Sequence, residues 1–196
     1  GTYSGGINIY DRNLTTFSHF KNNPFDKNSL SYNVTTSFEE RGNGDMWIGT
    51  DGGGLNLFSA RTQQFTRFTA QPGKQNALQS NAVLALAKED ENKIWIGTYE
   101  GGLSFFDAAS NRFKHYQKGN TAFDLNSNKV FALLKDKSGN LWIGTDEGGV
   151  NVLDIKKGII TKYTEQDKKG LGNNDIRALY MDSNGDIWVG TFAGGL

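Results

Sequence analysis

Cysteine is absent from the 196 residues, proline and histidine occur twice each, and 21 basic residues balance 21 acidic ones to a formal net charge of zero. Without Cys there are no disulfide staples, no thiolate metal sites and no Cys nucleophile. Without a surplus of clustered Lys and Arg there is no electrostatic footprint for nucleic acid or anionic lipid, so neither partner, nor direct membrane contact, is expected. No run of about 18 apolar residues has the pattern of a transmembrane helix, and no basic stretch precedes an apolar core as in a signal peptide. Segments of helical period are missing too.

Glycine is what the chain has in excess: 25 residues, roughly twice its usual share. Its glycines recur in register. Trp47-Ile48-Gly49-Thr50, Trp95-Ile96-Gly97-Thr98, Trp142-Ile143-Gly144-Thr145 and Trp188-Val189-Gly190-Thr191 are spaced by 48, 47 and 46 residues. Each is followed by a Gly pair and an apolar residue, as at Gly101-Gly102-Leu103, and Gly1-Thr2 with Gly5-Gly6-Ile7 is a fifth copy. Leu30, Leu78, Leu125 and Leu171 keep step, each with Asn three positions later, and so do Phe17, Phe65, Phe113 and Ile160. All drift in the period falls between that Phe or Ile and the next Leu, which implies fixed strands and one elastic loop per repeat.

Four β-patterned runs fill one repeat: Val83–Ala87, Ile94–Thr98, Leu103–Phe106 and Arg112–Tyr116. The first two are apolar on both faces and the last alternates, so burial is expected to fall from the first strand to the fourth. Segments such as Asp136-Lys137-Ser138-Gly139-Asn140 read as tight turns between the first two strands, with Gly in the left-handed position. Repeats of 46 to 48 residues with four antiparallel strands are the blades of an all-β propeller. The expected division is a partial blade at 1–24, blades at 25–72, 73–119 and 120–166, and a partial blade at 167–196. Entry and exit at the same point of a blade suggest a stretch of a larger propeller array, whose partners would be further blades or a second copy of itself.

The repeat resembles the two-component regulator propeller repeat, whose pattern runs Leu-Trp-Ile-Gly-Thr-x-x-Gly-Gly-Leu-Asn-x-x-Asp. Leu141-Trp142-Ile143-Gly144-Thr145-Asp146-Glu147-Gly148-Gly149-Val150-Asn151-Val152-Leu153-Asp154 follows it almost throughout. Ser59 replaces the Asp found at Asp11, Asp107 and Asp154, and Thr36-Ser37 replaces the usual Ala-Leu. The resemblance implies the non-catalytic periplasmic sensor region of a hybrid two-component signalling protein that detects oligosaccharides released from polysaccharide, with any kinase outside this chain. A propeller scaffold binding no small ligand, and a polysaccharide lyase or hydrolase, are the competing readings.

Candidate chemistry is sparse. The four Trp could stack on a sugar or a quinone, but their identical places in a doubly buried strand favour packing between blades. The Gly-Thr-x-x-Gly-Gly segments lack the following helix that a phosphate loop needs, and read as turns requiring positive φ. The Asp- and Asn-rich turns lack the bidentate Glu of a Ca²⁺ loop. His19 and His115 share one repeat position with Arg67 and Lys162, a solvent-facing basic row rather than a metal site or catalytic triad. No cofactor, metal or catalytic residue is assigned, although Glu100, Glu147 and Asp146 are the nearest candidates for a glycosidase carboxylate pair.

The two residues inside Gly-Thr-x-x-Gly-Gly vary while their frame stays fixed: Tyr3-Ser4, Asp51-Gly52, Tyr99-Glu100, Asp146-Glu147 and Phe192-Ala193. Aromatic rings and carboxylates are the groups a carbohydrate site uses, and these turns share one face with the elastic loops. The candidate ligand-binding set is therefore Tyr3, Asp51, Tyr99, Glu100, Asp146, Glu147 and Phe192, with Arg177. Arg177 lies in the inner strand where other repeats carry Thr35, Leu84 and Phe131, and would suit an acidic sugar.

Overall fold

Short apolar runs between Gly-bearing turns fold into strands and nothing else among the described residues, which span 4 to 194 in the computed structural model. An opening half-blade holds β1 (Ile7–Asp11) and β2 (Thr16–Phe20). Blade I is β3 (Thr35–Glu40), β4 (Met46–Thr50), β5 (Gly54–Ser59) and β6 (Gln64–Phe68). Blade II is β7 (Val83–Lys88), β8 (Lys93–Thr98), β9 (Gly102–Asp107) and β10 (Arg112–Tyr116). Blade III is β11 (Val130–Lys135), β12 (Asn140–Thr145), β13 (Val150–Asp154) and β14 (Ile159–Tyr163), and a closing half-blade holds β15 (Ile176–Met181) and β16 (Ile187–Thr191). Consecutive strands pair antiparallel within each blade, and the sheets do not close into a ring, as expected of a stretch of a larger propeller.

Blades stick together by a repeated face-to-face contact. The Trp face of blade I, with Trp47, Leu55, Leu57 and Phe68, packs on Leu86, Ile94, Ile96 and Phe106 of blade II. Blade II then presents Trp95, Leu103, Phe105 and Tyr116 to Leu141, Ile143, Leu153 and Ile160 of blade III. The opening half-blade offers Ile7 and Phe20 to Ile48, Phe58 and Phe65 of blade I. There an apolar groove of about 380 Å³ lies at the place that Trp47 fills one interface later. The expectation that each Trp is a packing residue therefore holds for Trp47 and Trp95, both buried. Trp142 stacks on Tyr163 at 6.4 Å, whereas Trp188 is half exposed.

Burial does not fall monotonically from first strand to fourth. The second and third strands are the most buried, while β3, β11 and β15 are only partly covered. An innermost strand has one edge facing the propeller axis rather than another strand, which the local pattern of apolar residues does not register. Each inner strand also carries a β-bulge, between Thr35 and Ser37, Val83 and Ala85, Val130 and Ala132, and Ile176 and Ala178. The bulged residues are thus Thr36, Leu84, Phe131 and Arg177, so the counterpart of Arg177 in blade I is Thr36 rather than Thr35.

Three indole N–H groups are satisfied by a carboxylate six positions earlier: Trp95 by Glu89 at 3.0 Å, Trp142 by Asp136 at 2.9 Å and Trp188 by Asp182 at 3.1 Å. In blade I that position is Arg41, whose guanidinium lies 5.6 Å over the Trp47 ring, and the Trp47 N–H has no partner among the described residues. Burial pushes the Asp136 carboxyl up, but hydrogen bonds from Trp142, Asn140 and Ser138 outweigh it and hold the group below the usual carboxylate value. The Trp188 indole, with backbone N–H groups of the turn, does the same to Asp182.

A folded-state pKa below the unfolded one stabilises at pH values above the unfolded pKa, and that contribution is lost as pH falls through the folded one. Stability measured by urea titration is therefore expected to hold from pH 7 to about 5 and to decline below about pH 4. Asp136→Asn should lower stability at pH 7 and flatten the acid limb. An unchanged acid limb would remove Asp136 from the account.

The elastic loops are anchored from both sides. Asn33, Asn81, Asn128 and Asn174 accept side-chain hydrogen bonds from the backbone N–H of Asn22, Ala70, Lys118 and Glu165, just beyond the preceding blade's outer strand. Their own carbonyls accept from Gly6, Gly54, Gly102 and Gly149. Arg67 reaches back to the carbonyls of Asp26 and Ser29, and His115 bridges Ser104 Oγ at 2.9 Å and the Gln75 carbonyl at 2.8 Å. The basic row on the outer strand is thus a set of loop anchors at these positions, not a solvent-facing stripe, because each carbonyl-rich loop folds over it.

Candidate functional site

The turn between second and third strands is built around its two variable residues. The first of them donates its N–H to the residue just before the inner strand: Asp51 to Val34, Tyr99 to Ala82, Asp146 to Lys129 and Phe192 to Asp175, at 2.8 to 3.0 Å. This places the first residue at the mouth of the propeller axis, where the inner strands begin. The second takes positive φ, 64° at Glu100, 63° at Glu147 and 62° at Ala193, as the turn reading requires. The conformation aims these side chains outward, and Glu100 and Glu147 are exposed at the tips.

Five of the eight candidate residues come together. Arg177 Nη2 contacts Asp146 Oδ1 at 2.6 Å, Lys129 Nζ lies 3.6 Å from Asp146 Oδ2 and 3.3 Å from Glu147 Oε1. The Arg177 guanidinium sits 4.2 Å from the ring centroid of Phe131 and 5.4 Å from that of Phe192. Lys129 Nζ approaches the Tyr99 ring at 5.9 Å, and Tyr99 meets Phe131 edge-on at 6.3 Å. The result is a continuous strip across blades II and III and the closing half-blade: Tyr99, Lys129, Phe131, Asp146, Glu147, Arg177 and Phe192. Glu147 is pinned from below by its own N–H, which donates to Asp175 Oδ1 at 2.7 Å. The Glu147 bond in turn holds Lys129 well protonated, raising its pKa.

Asp51 and Glu100 stand outside the strip, and their carboxylates pair with no described group. Tyr3 lies outside the described residues. Lys129 and Phe131 belong to the strip although neither was a candidate. The bulge brings in Phe131 by turning it, like Arg177, toward the mouth, and Lys129 enters because its carbonyl is what the Asp146 N–H binds. The apolar groove between the opening half-blade and blade I lies apart from the strip.

Chemically the strip offers two partly exposed rings, Tyr99 and Phe192, flanking charged groups fixed to one another. Exposed aromatic faces pack against the apolar faces of flat or ring-shaped ligands, and oriented carboxylate and guanidinium groups exchange hydrogen bonds with paired hydroxyls.

A family model described as the two-component regulator propeller matches residues 124–147 and 170–193. No curated protein sequence matches the chain. Among solved structures, the extracellular domain described as that of the hybrid two-component system BT3049 from B. thetaiotaomicron is 26% identical with a TM-score of 0.56, covering 97% of this chain and 30% of that one. The extracellular domain of BT4673 from the same organism is 21% identical with a TM-score of 0.75, covering 96% and 24%. PorZ, a surface component of the type-IX secretion system of Porphyromonas gingivalis, is 19% identical with a TM-score of 0.74, covering 100% and 29%. The chain thus spans less than a third of each of these proteins.

Proposed function

For a chain that carries two-component regulator propeller repeats, we propose an input role: an extracytoplasmic, periplasmic sensor segment that holds an oligosaccharide against the strip at the propeller mouth. The observation that carries this reading is the strip itself, with Tyr99 and Phe192 presented beside the Lys129–Asp146–Arg177 group. Its likeness to the extracellular domain of a hybrid two-component system supports the sensor role and the compartment. A ligand that binds one arrangement of the sensor better than another shifts the population between them, and a kinase elsewhere in the protein would read the shift. The segment itself is read as non-catalytic. The Ser104–His115 pair has its Ser side chain fully buried in β9, where no substrate reaches it.

Thermal melting with a panel of oligosaccharides tests the proposal. A ligand at 100 times its dissociation constant adds about 2.7 kcal/mol, which raises the Tm by roughly 5 to 10 °C in a chain of this size. Tyr99→Ala and Phe192→Ala should each weaken binding about tenfold, a loss of about 1.4 kcal/mol, while changing the ligand-free stability by less than about 0.5 kcal/mol. Sedimentation into dimers with no melting shift from any glycan would replace sensing by the scaffold reading.

A further inference from the structure

The electrostatics of the mouth determine which glycans it can take. This inference rests on the glycan reading above and narrows it. The turn, bulge and pre-strand positions around the mouth hold five carboxylates, Asp51, Glu100, Asp146, Glu147 and Asp175, and two cations, Lys129 and Arg177. Both cations are already engaged. Asp146 sits between them, its two oxygens facing one each, and Glu147 takes a second bond from Lys129. Asp146 is also the least exposed of the charged side chains in these ion pairs, so solvent screens its contacts least. Phe131 and Phe192 flank the Arg177 guanidinium at 4.2 and 5.4 Å from their ring centroids, and the side chain stays 35% exposed.

An anionic ligand would have to compete with Asp146 for both cations and approach the carboxylates of Glu100 and Asp51, which no described cation pairs. A neutral ring with vicinal hydroxyls needs neither. Carboxylate and guanidinium groups held in a fixed pair accept and donate at adjacent points, which suits two neighbouring hydroxyls, and Tyr99 and Phe192 supply apolar surface on either side. We propose that the mouth is selective for neutral oligosaccharides and that Asp146 is the residue that excludes uronic-acid and sulfated ones, by closing Lys129 and Arg177 to external anions. Arg177, which as a lone cation would suit an acidic sugar, thereby becomes a positioned hydrogen-bond donor.

The full chain is melted with neutral gluco-, manno-, xylo- and arabino-oligosaccharides, with oligogalacturonate and with inorganic sulfate, at low and high salt. The expected result is a Tm increase with a neutral oligosaccharide that high salt leaves largely unchanged, and none with oligogalacturonate or sulfate. In Asp146→Asn, oligogalacturonate and sulfate should each raise the Tm at low salt and lose that effect at high salt. Glu147→Gln, which leaves Asp146 between the two cations, should gain no such response, and circular dichroism of both variants verifies that they are folded. Salt-sensitive binding of oligogalacturonate by the unaltered chain would overturn the proposal, as would an Asp146→Asn variant that gains no anion response. If Asp146→Asn gains the anion response but no neutral sugar binds the unaltered chain, it is the glycan reading that fails, and the ligand class falls with it.

Discussion

Trp95→Ala is expected to cost about 4 kcal/mol, near the middle of the range for deleting a buried aromatic side chain. In a chain of this length that lowers the Tm by roughly 8 to 16 °C. Trp95 is 2% exposed and its ring lies 4.5 Å from Phe105 and 6.0 Å from Tyr116 within the blade, in the cluster that joins blade II to blade III. Its indole N–H also holds Glu89, which pairs with Lys135 of the next blade at 2.8 Å. Removal therefore opens a cavity and releases a carboxylate that ties two blades together. Trp188→Ala is the internal control, since Trp188 occupies the same motif but is 51% exposed, and should cost less than about 1 kcal/mol. Equal losses for the two variants would mean that motif position, rather than inter-blade burial, sets the cost.

Gly102→Ala should be nearly as damaging for a different reason. Gly102 has φ +75°, a conformation that L side chains adopt with strain, and a Cβ there would press on the backbone carbonyl oxygen of Tyr116 in the paired strand. Backbone strain of about 1 kcal/mol comes on top of a clash that only movement of β9 against β10 can relieve. The same residue donates its N–H to the Asn128 carbonyl, so that movement also loosens the loop leading into blade III. A total of about 3 kcal/mol is expected, with the loss reported by hydrogen exchange first at the amides of β9 and β10. Gly139→Ala tests the steric part, because Gly139 has φ +87° with nothing within 4 Å of a Cβ, and should cost only about 1 kcal/mol. Similar costs at both positions would reduce the Gly102 effect to its backbone angle.

Much of this architecture is legible in the residues because packing imposes it once per blade. Trp47 and Trp95 fill gaps between successive blades, Gly stands where two backbones meet, and Asn caps each loop, so these types recur at fixed spacing. The bulge is not legible. It inserts one residue into an alternation already blurred by a strand apolar on both faces, whereas the counterpart of Arg177 in blade I follows from spacing alone: Thr36, not Thr35, lies eleven residues before its Trp, as Leu84, Phe131 and Arg177 do.

The site was half legible for a related reason. Tyr99, Asp146, Glu147, Arg177 and Phe192 announce themselves by varying inside a fixed frame, but Lys129 and Phe131 vary in a strand and a loop where variation carries no signal. Asp51 shares the frame, yet Val34 and Leu84 stand where Asp146 meets Lys129 and Arg177, so no described group engages its carboxylate. One missed signal was available. Glu89, Asp136 and Asp182 stand six residues before a Trp in three repeats, and only the direction of the indole N–H reveals why.

The bulge in every inner strand separates two jobs that a regular strand would force on the same residues. The flanking positions Val83, Val130 and Ile176 are fully buried, while Thr36, Leu84, Phe131 and Arg177 are unpaired in the ladder. Such a scaffold can change its recognition chemistry one blade at a time while its folding instructions stay constant. Diversification of ligand range within an array of these blades then requires no compensating change in the core, and new specificities are reached through viable intermediates.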